Sequence, residues 1–166
     1  MVIFKEKPNI VLVAGDVNST IACALATVKL NIKVAHIESG LRSFDRKMPE
    51  EINRVLTDSI SDYLFVTEKS GLENLKTEGV SDEKIFHVGN TMIDWVFHYL
   101  DKADRSTVLR RFDINQQDFV LVTLHRPSNV DDQTVLEQIL NALEKIQEKI
   151  KIIFPIHPRT KKKIDD

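Results

Sequence analysis

Short apolar runs that alternate with segments of helical length constrain this chain more than any other feature. Residues 9–14 (NIVLVA), 32–37 (IKVAHI), 63–67 (YLFVT) and 84–88 (KIFHV) have strand length and are rich in β-branched side chains. Continuous apolar strands, rather than alternating ones, suit a parallel sheet. Residues 19–30 are apolar nearly all round, which predicts a helix covered on both sides. Residues 49–60 read as a helix, with Pro49 at the first helical position and Glu50 and Glu51 in the first turn. Residues 69–78 form a third helical segment, stopped by Gly79, and 91–101 a fourth, capped by Asn90 or Thr91. Strand–helix alternation of this kind predicts an α/β fold built on a Rossmann-like parallel sheet.

The polar stretch 101–107 (DKADRST) reads as a linker, after which the pattern resumes. Residues 118–124 (DFVLVTL) and 151–156 (KIIFPI) are strands, and 132–150 is an amphipathic helix with Val135, Leu136, Ile139, Leu140, Leu143 and Ile146 on one stripe. Two domains are expected, 1–103 and 104–166. The chain reads as opening directly into a buried-type strand and as stopping after another with no helix to cover it. About 60 residues of the second kind are marginal as an independent domain, so the chain is expected to be a piece incomplete at both ends. No repeat of solenoid period and no low-complexity segment is visible.

Among 166 residues, 23 Lys and Arg face 25 Asp and Glu, a net charge of −2. That balance gives no general electrostatic reason to bind nucleic acid or an anionic membrane. Lys161, Lys162 and Lys163 read as a solvated tail. The single cysteine, Cys23, permits no internal disulfide, fits a reducing compartment, and among Ile21, Ala22, Ala24 and Leu25 reads as a buried small hydrophobe. Residues 1–8 carry charge where a signal peptide needs an apolar core. No run approaches the ~18 apolar residues of a membrane span. A soluble, cytoplasmic protein is expected.

In open parallel sheets, ligands sit beyond the carboxyl ends of the strands. Those ends carry Gly15-Asp16, Glu38-Ser39-Gly40, His125-Arg126 and His157-Pro158-Arg159. Asp16 has a plain alternative as a helix N-cap, a role that Asn18 and Ser19 also favour. His36 and Glu38 alternate onto one face of their strand. A His-x-Glu pair can bind a metal, but no third ligand stands at familiar spacing, and no metal is expected. A carboxylate buried at Glu38 would have its pKa raised by desolvation, as a general acid or base needs. Glu50 is favoured by the helix dipole and by an i,i+4 pair with Arg54, yet Glu50, Asn53 and Arg54 also share one face that could aim a carboxylate at a site. His125 with Arg126 could serve an anionic phosphate, or His125 could simply cap. His36, His87 and His98 read as structural.

Five segments in register resemble the UDP-N-acetylglucosamine 2-epimerase family: Gly15-Asp16-Val17-Asn18-Ser19-Thr20, His36-Ile37-Glu38-Ser39-Gly40-Leu41-Arg42, Pro49-Glu50-Glu51-Ile52-Asn53-Arg54, Gly89-Asn90-Thr91 with Asp94, and Thr123-Leu124-His125-Arg126 with Asn129. The resemblance runs from about Asn9 to Arg159. It implies two Rossmann-like domains in the GT-B arrangement, with a UDP-sugar between them and neither nicotinamide nor metal as cofactor. It implies interconversion of UDP-N-acetylglucosamine and UDP-N-acetylmannosamine by elimination and re-addition of UDP through 2-acetamidoglucal, for cell-surface polysaccharide synthesis. Asp16, Glu38 and Glu50 would then handle and position the C2 proton, and His125 would face the diphosphate. Arg42, Asn90, Arg126 and Asn129 would contact substrate or support those that do. Ser128 stands where many members carry glutamate, and the family's Gly-Thr-Arg-Pro loop has no counterpart in this chain. A homodimer is expected.

Two further readings stand beside this one. A UDP-hydrolysing 2-epimerase would release free sugar and UDP. A truncated fragment or paralogue would act as a binding or assembly module, with exposed apolar surface and no turnover by the chain alone. A GT-B glycosyltransferase shares the fold but does not account for the acidic motifs.

Overall fold

A computed structural model describes residues 2–114 and 118–165. It divides into two compact units, 1–100 and 101–166. In the first, a short helix α1 (Val2–Glu6) precedes β1 (Ile10–Ala14), so the strand is not the first element of the chain. There follow α2 (Asn18–Val28), β2 (Lys33–Ser39), α3 (Pro49–Ile60), β3 (Tyr63–Val66), α4 (Lys69–Thr77) and β4 (Ile85–His87). The four strands form one sheet in the order β1-β2-β3-β4, every neighbour parallel. The expected parallel α/β sheet is therefore what forms. Helix α5 (Thr91–Asp104) runs through the first half of the stretch expected as a linker.

The core explains why these segments take these places. Val13 and Val34 of β1 and β2 are buried against Ala24 of α2, with Val11, Val28 and Ile60 packed around them. Leu64 and Val66 of β3 are buried against Leu75 of α4, with Leu72, Val80 and Ile85 beside them. Strand alternation puts Leu12 on the side of β1 opposite Val13, and there it is exposed. Helix α2 buries Thr20, Ala24 and Thr27, one stripe at i, i+4 and i+7. Its other faces, including Leu25 and Cys23, are open to solvent. Two expectations thus fail together: α2 is covered on one side only, and Cys23 is exposed rather than buried. The reason is that only the stripe of Thr20, Ala24 and Thr27, with Val28 beside it, meets its neighbours, while Cys23 and Leu25 lie on the far side.

Unit 2 contains α6 (Val108–Arg111), β5 (Phe119–Leu121), α7 (Pro127–Val130), α8 (Gln133–Gln147), β6 (Lys151–Ile153) and α9 (Pro158–Asp165). Strands β5 and β6 are parallel. Leu124, Val130 and Leu136 form its buried cluster, with Ile139, Leu140 and Phe154 around it. Asp132 caps α8, its carboxylate accepting from Val135 N at 3.1 Å. A helix therefore does follow the last strand: Lys161, Lys162 and Lys163 lie in α9, exposed but not in an irregular tail. Among the described residues no helix is long and apolar enough to cross a membrane.

Candidate functional site

The carboxyl ends of β1 and β2 form a connected polar cluster in unit 1. Gly15 turns the chain after β1 at φ +68°, and its N–H donates to Ile37 O at 3.1 Å. The Asp16 carboxylate does not cap α2. Val17 occupies the N-cap position with no side-chain bond. Instead Asp16 Oδ2 accepts from Arg54 Nε at 2.9 Å and Nη2 at 2.6 Å, both from one guanidinium fork. Asn53 Nδ2 donates to Asp16 O at 2.8 Å and to Asn18 Oδ1 at 3.0 Å. So α3 holds the Asp16 turn by backbone and side chain at once.

Glu38 stands at a β-bulge. The pairing of β2 with β3 slips between Ile37 and Ser39, and Glu38 takes the left-handed φ of +70°. The bulge breaks the strand alternation, so His36 is 0% exposed whereas Glu38 faces solvent. The expectation that His36 and Glu38 share a face is corrected, and so is the expectation of a buried Glu38. A Cβ on Gly15 would lie 3.9 Å from Glu38 Oε2, which sets the Glu38 carboxylate over the Asp16 turn. The Glu38 carboxylate has no hydrogen bond or ion pair to a described residue. Gly40 has φ +80°, and a Cβ there would lie 2.4 Å from Gly71 O, so the β2 turn packs backbone to backbone on the first turn of α4.

On α3 the two neighbouring glutamates divide their roles. Arg54 pairs with Glu51 at 3.2 Å and with Asp16, not with Glu50 as expected. Glu51 is buried and accepts from Ser43 N at 2.8 Å, Ser43 Oγ at 3.0 Å and Phe44 N at 3.0 Å. Burial alone would raise its pKa, but those donors and Arg54 outweigh it and hold the carboxyl below its ordinary value. Glu50 is half-buried and unpaired among the described residues. Arg42 is buried, with Nη1 2.7 Å from Asp58 Oδ2 and both Nε and Nη2 2.7 Å from the Glu78 carboxylate. Burial disfavours its charge, yet Glu78 and Asp58 raise its pKa above the usual arginine value. Its donors are spent inside the unit. Asn90 caps α5, its Oδ1 accepting from Met92 N at 2.9 Å.

Unit 2 presents a second cluster at the ends of β5 and β6. His125 and Arg126 are exposed, and the His125 ring lies 5.8 Å from that of His157. Pro127 opens α7 directly, a first-turn role for proline. Asn129 is half-buried in that turn, its N–H donating to Arg126 O at 2.9 Å. Thr160 is buried and donates to Leu124 O at 2.5 Å, which ties α9 to the turn that bears His125. Arg159 forks onto the Asp131 carboxylate and holds it below its ordinary pKa. His157 was visible in the sequence only by its place after the last strand. Glu51 and Asp58 gave no signal of their buried bonds, most of which depend on partners 7 to 22 positions away.

With these two clusters in place, the comparisons with known proteins are specific. The family model described as UDP-N-acetylglucosamine 2-epimerase matches residues 1–166. A UDP-N-acetylglucosamine 2-epimerase of Methanococcus maripaludis is 48% identical over 99% of this chain and 46% of its own length. A UDP-2,3-diacetamido-2,3-dideoxy-D-glucuronate 2-epimerase of Pseudomonas aeruginosa is 47% identical over 96% of this chain and 45% of its own. The crystal structure of Methanocaldococcus jannaschii UDP-GlcNAc 2-epimerase in complex with UDP-GlcNAc and UDP superposes with a TM-score of 0.88 at 49% identity, covering 99% of this chain and 46% of that one. The chain thus spans about half the length of the curated relatives it matches. By sequence along its whole length and by the fold of its parallel sheets, it belongs to the UDP-N-acetylglucosamine 2-epimerase family.

Proposed function

We propose that this chain serves the 2-epimerisation of a UDP-linked 2-acetamido sugar, with UDP-N-acetylglucosamine as first substrate. The observation that carries the reading is the pair of turns at Asp16 and Glu38: one carboxylate forked by Arg54, the other exposed beside it and unpaired among the described residues. Glu38 is the freer of the two carboxylates, since no cation among the described residues pairs with it. It would remove the C2 proton while UDP departs from C1 with the bonding electron pair, giving 2-acetamidoglucal. Re-addition of UDP at C1, with a proton delivered to the opposite face of C2, completes the inversion. Asp16 and Glu50 would serve the other face or position the sugar. His125 and Arg126 of unit 2 would stabilise the charge that grows on the diphosphate. Arg42 and Asn90 support turns rather than touch substrate in this reading, and Asn129 supports the His125 turn.

The Pseudomonas relative favours a second substrate at similar identity, a UDP-linked diacetamido uronic acid. A homodimer is the assembly we infer. Exposed Leu25 on α2 and Ile52, Val55 and Leu56 on α3 support it, and light scattering after gel filtration at low micromolar concentration tests it. The exposed single cysteine fits a reducing, cytoplasmic setting.

The test is solvent exchange at C2. The protein as its gene encodes it is incubated in deuterated water with each UDP-sugar, and H2 loss and product are followed by NMR. Exchange and the 2-epimer are expected with one of them, abolished by Glu38→Gln and strongly slowed by His125→Ala. Free UDP rising in step with free sugar would assign the hydrolysing reaction instead. Folded protein without exchange on either sugar would favour the non-catalytic module.

A further inference from the structure

Beneath the two turns lies a buried pair that the proposed chemistry does not use. His36 is 0% exposed, and Asp58 on the inward face of α3 is almost as deeply buried. The His36 Nδ1 stands 2.6 Å from Asp58 Oδ1, and its Nε2 stands 2.9 Å from the carbonyl oxygen of Gly15. Asp58 Oδ2 accepts from Gly40 N at 3.0 Å and lies 2.7 Å from Arg42 Nη1. A carbonyl oxygen only accepts, so Nε2 carries a hydrogen and donates it to Gly15. A second hydrogen lies in the Nδ1–Asp58 contact. The ring therefore spans from the turn after β1 to the carboxylate that holds the turn after β2.

We propose that His36 is a positioning residue that fixes the Asp16 and Glu38 turns relative to each other through Gly15 and Asp58. This rests on the reading of Asp16 and Glu38 as the acidic groups at the sugar. The peptide joining Gly15 to Asp16 is trans and planar, so drawing its carbonyl onto His36 turns the Asp16 N–H the opposite way. On the other side, Asp58 grips Gly40 two residues beyond Glu38, whose left-handed φ needs support from its surroundings. Neither His36 nor Asp58 has appreciable exposure, so neither can touch a substrate.

Two amide substitutions separate the ring's two bonds. In His36→Gln the side-chain amide can reach the Nε2 position and still donate to Gly15. In His36→Asn it reaches only the Nδ1 position, keeps Asp58 and abandons Gly15. The C2-exchange assay is expected to show His36→Asn reduced on the order of 100-fold in kcat, as about an ångström of misplacement does. KM should move by less than about threefold, and His36→Gln should recover most of the loss. Equal rates in the two variants would overturn the proposal, as would a change confined to KM. If the unsubstituted protein exchanges neither sugar, the functional reading fails while this proposal is still decided by amide hydrogen exchange. Faster exchange at Gly15–Val17 in His36→Asn than in His36→Gln, with β3 unchanged, supports it. Indistinguishable protection overturns it.

Discussion

Between Asp16 and the helix it precedes stands Val17, and that one-residue offset sends the carboxylate to Arg54 instead of to the α2 amides. Sequence favours an N-cap because Asp, Asn and Ser cap well. The outcome turns on a guanidinium 38 positions away, which no local pattern reveals. Glu51 makes a related point, and its chemistry gives a pH dependence. Its folded-state pKa is lowered, so the folded protein favours the ionised form more than the unfolded chain does. The stability it contributes is present above the ordinary glutamate pKa and fades as pH falls through the lowered folded value. Glu51→Gln should lower the urea midpoint at pH 7 by an amount equivalent to about 1.5–3 kcal/mol, the range for bonds to a charged group. The gap between the two proteins should narrow as pH falls below the ordinary glutamate pKa and close beneath the lowered folded value. A gap independent of pH would show that packing, not the ionised carboxylate, is what matters at Glu51. Glu38 yields a second expectation, because its φ of +70° is strained for any side chain with a Cβ. Glu38→Gly should be more stable than Glu38→Ala by about 0.5–1 kcal/mol in equilibrium denaturation. Equal stabilities would mean that the bulge relaxes when the glutamate is removed.

At the scale of elements, the sequence is legible where apolar runs are continuous. The strands around Val13, Val34 and Leu64 and the helix with Leu136 on its stripe lie where periodicity puts them. Two features were not legible. The bulge at Glu38 arises from how Ser39, not Glu38, aligns with Val66 of β3, so it belongs to the pair of strands rather than to either one. The closeness of β2 to α4 depends on Gly40 facing Gly71, residues that look unrelated along the chain. Gly71→Ala tests that contact. The added methyl would lie 2.9 Å from Val66 Cγ1 and 3.1 Å from Ser39 O, so α4 must shift outward. Alanine favours a helix interior by up to ~1 kcal/mol. The overpacking should exceed that gain and leave a net loss of about 1–2 kcal/mol. Gly79→Ala serves as the contrast, since nothing lies within 4 Å of its Cβ and only its φ of +80° resists. Slower C2 exchange in Gly71→Ala but not in Gly79→Ala would connect the packing of α4 to the Glu38 turn. A Gly71→Ala protein as stable as its parent would remove that connection.

At the scale of the whole molecule, the two units keep separate buried clusters, and the acidic turns and the His125 turn belong to different ones. Leu64 is fully buried in unit 1, and Leu136 is nearly so in unit 2. Truncating either to alanine removes comparable apolar volume and should cost about 2–5 kcal/mol within its own cluster. Among the described residues unit 2 has one small cluster where unit 1 has two, so it has less stability to lose. Leu136→Ala should therefore strip amide protection from 118–165 while β1 to β3 keep theirs, as read by hydrogen exchange and mass spectrometry. Leu64→Ala should do the reverse, loosening 10–87 first. Loss of protection in both regions together, in either variant, would show that the units fold as one cooperative body. The functional consequence differs between the cases. If the units are independent, a variant that melts only unit 2 should lose the diphosphate contacts proposed for His125 and Arg126, and with them any tight binding of UDP. It should still hold the Asp16–Arg54 pair and the His36 bridge intact, which ring-nitrogen NMR of His36 can follow in the same sample.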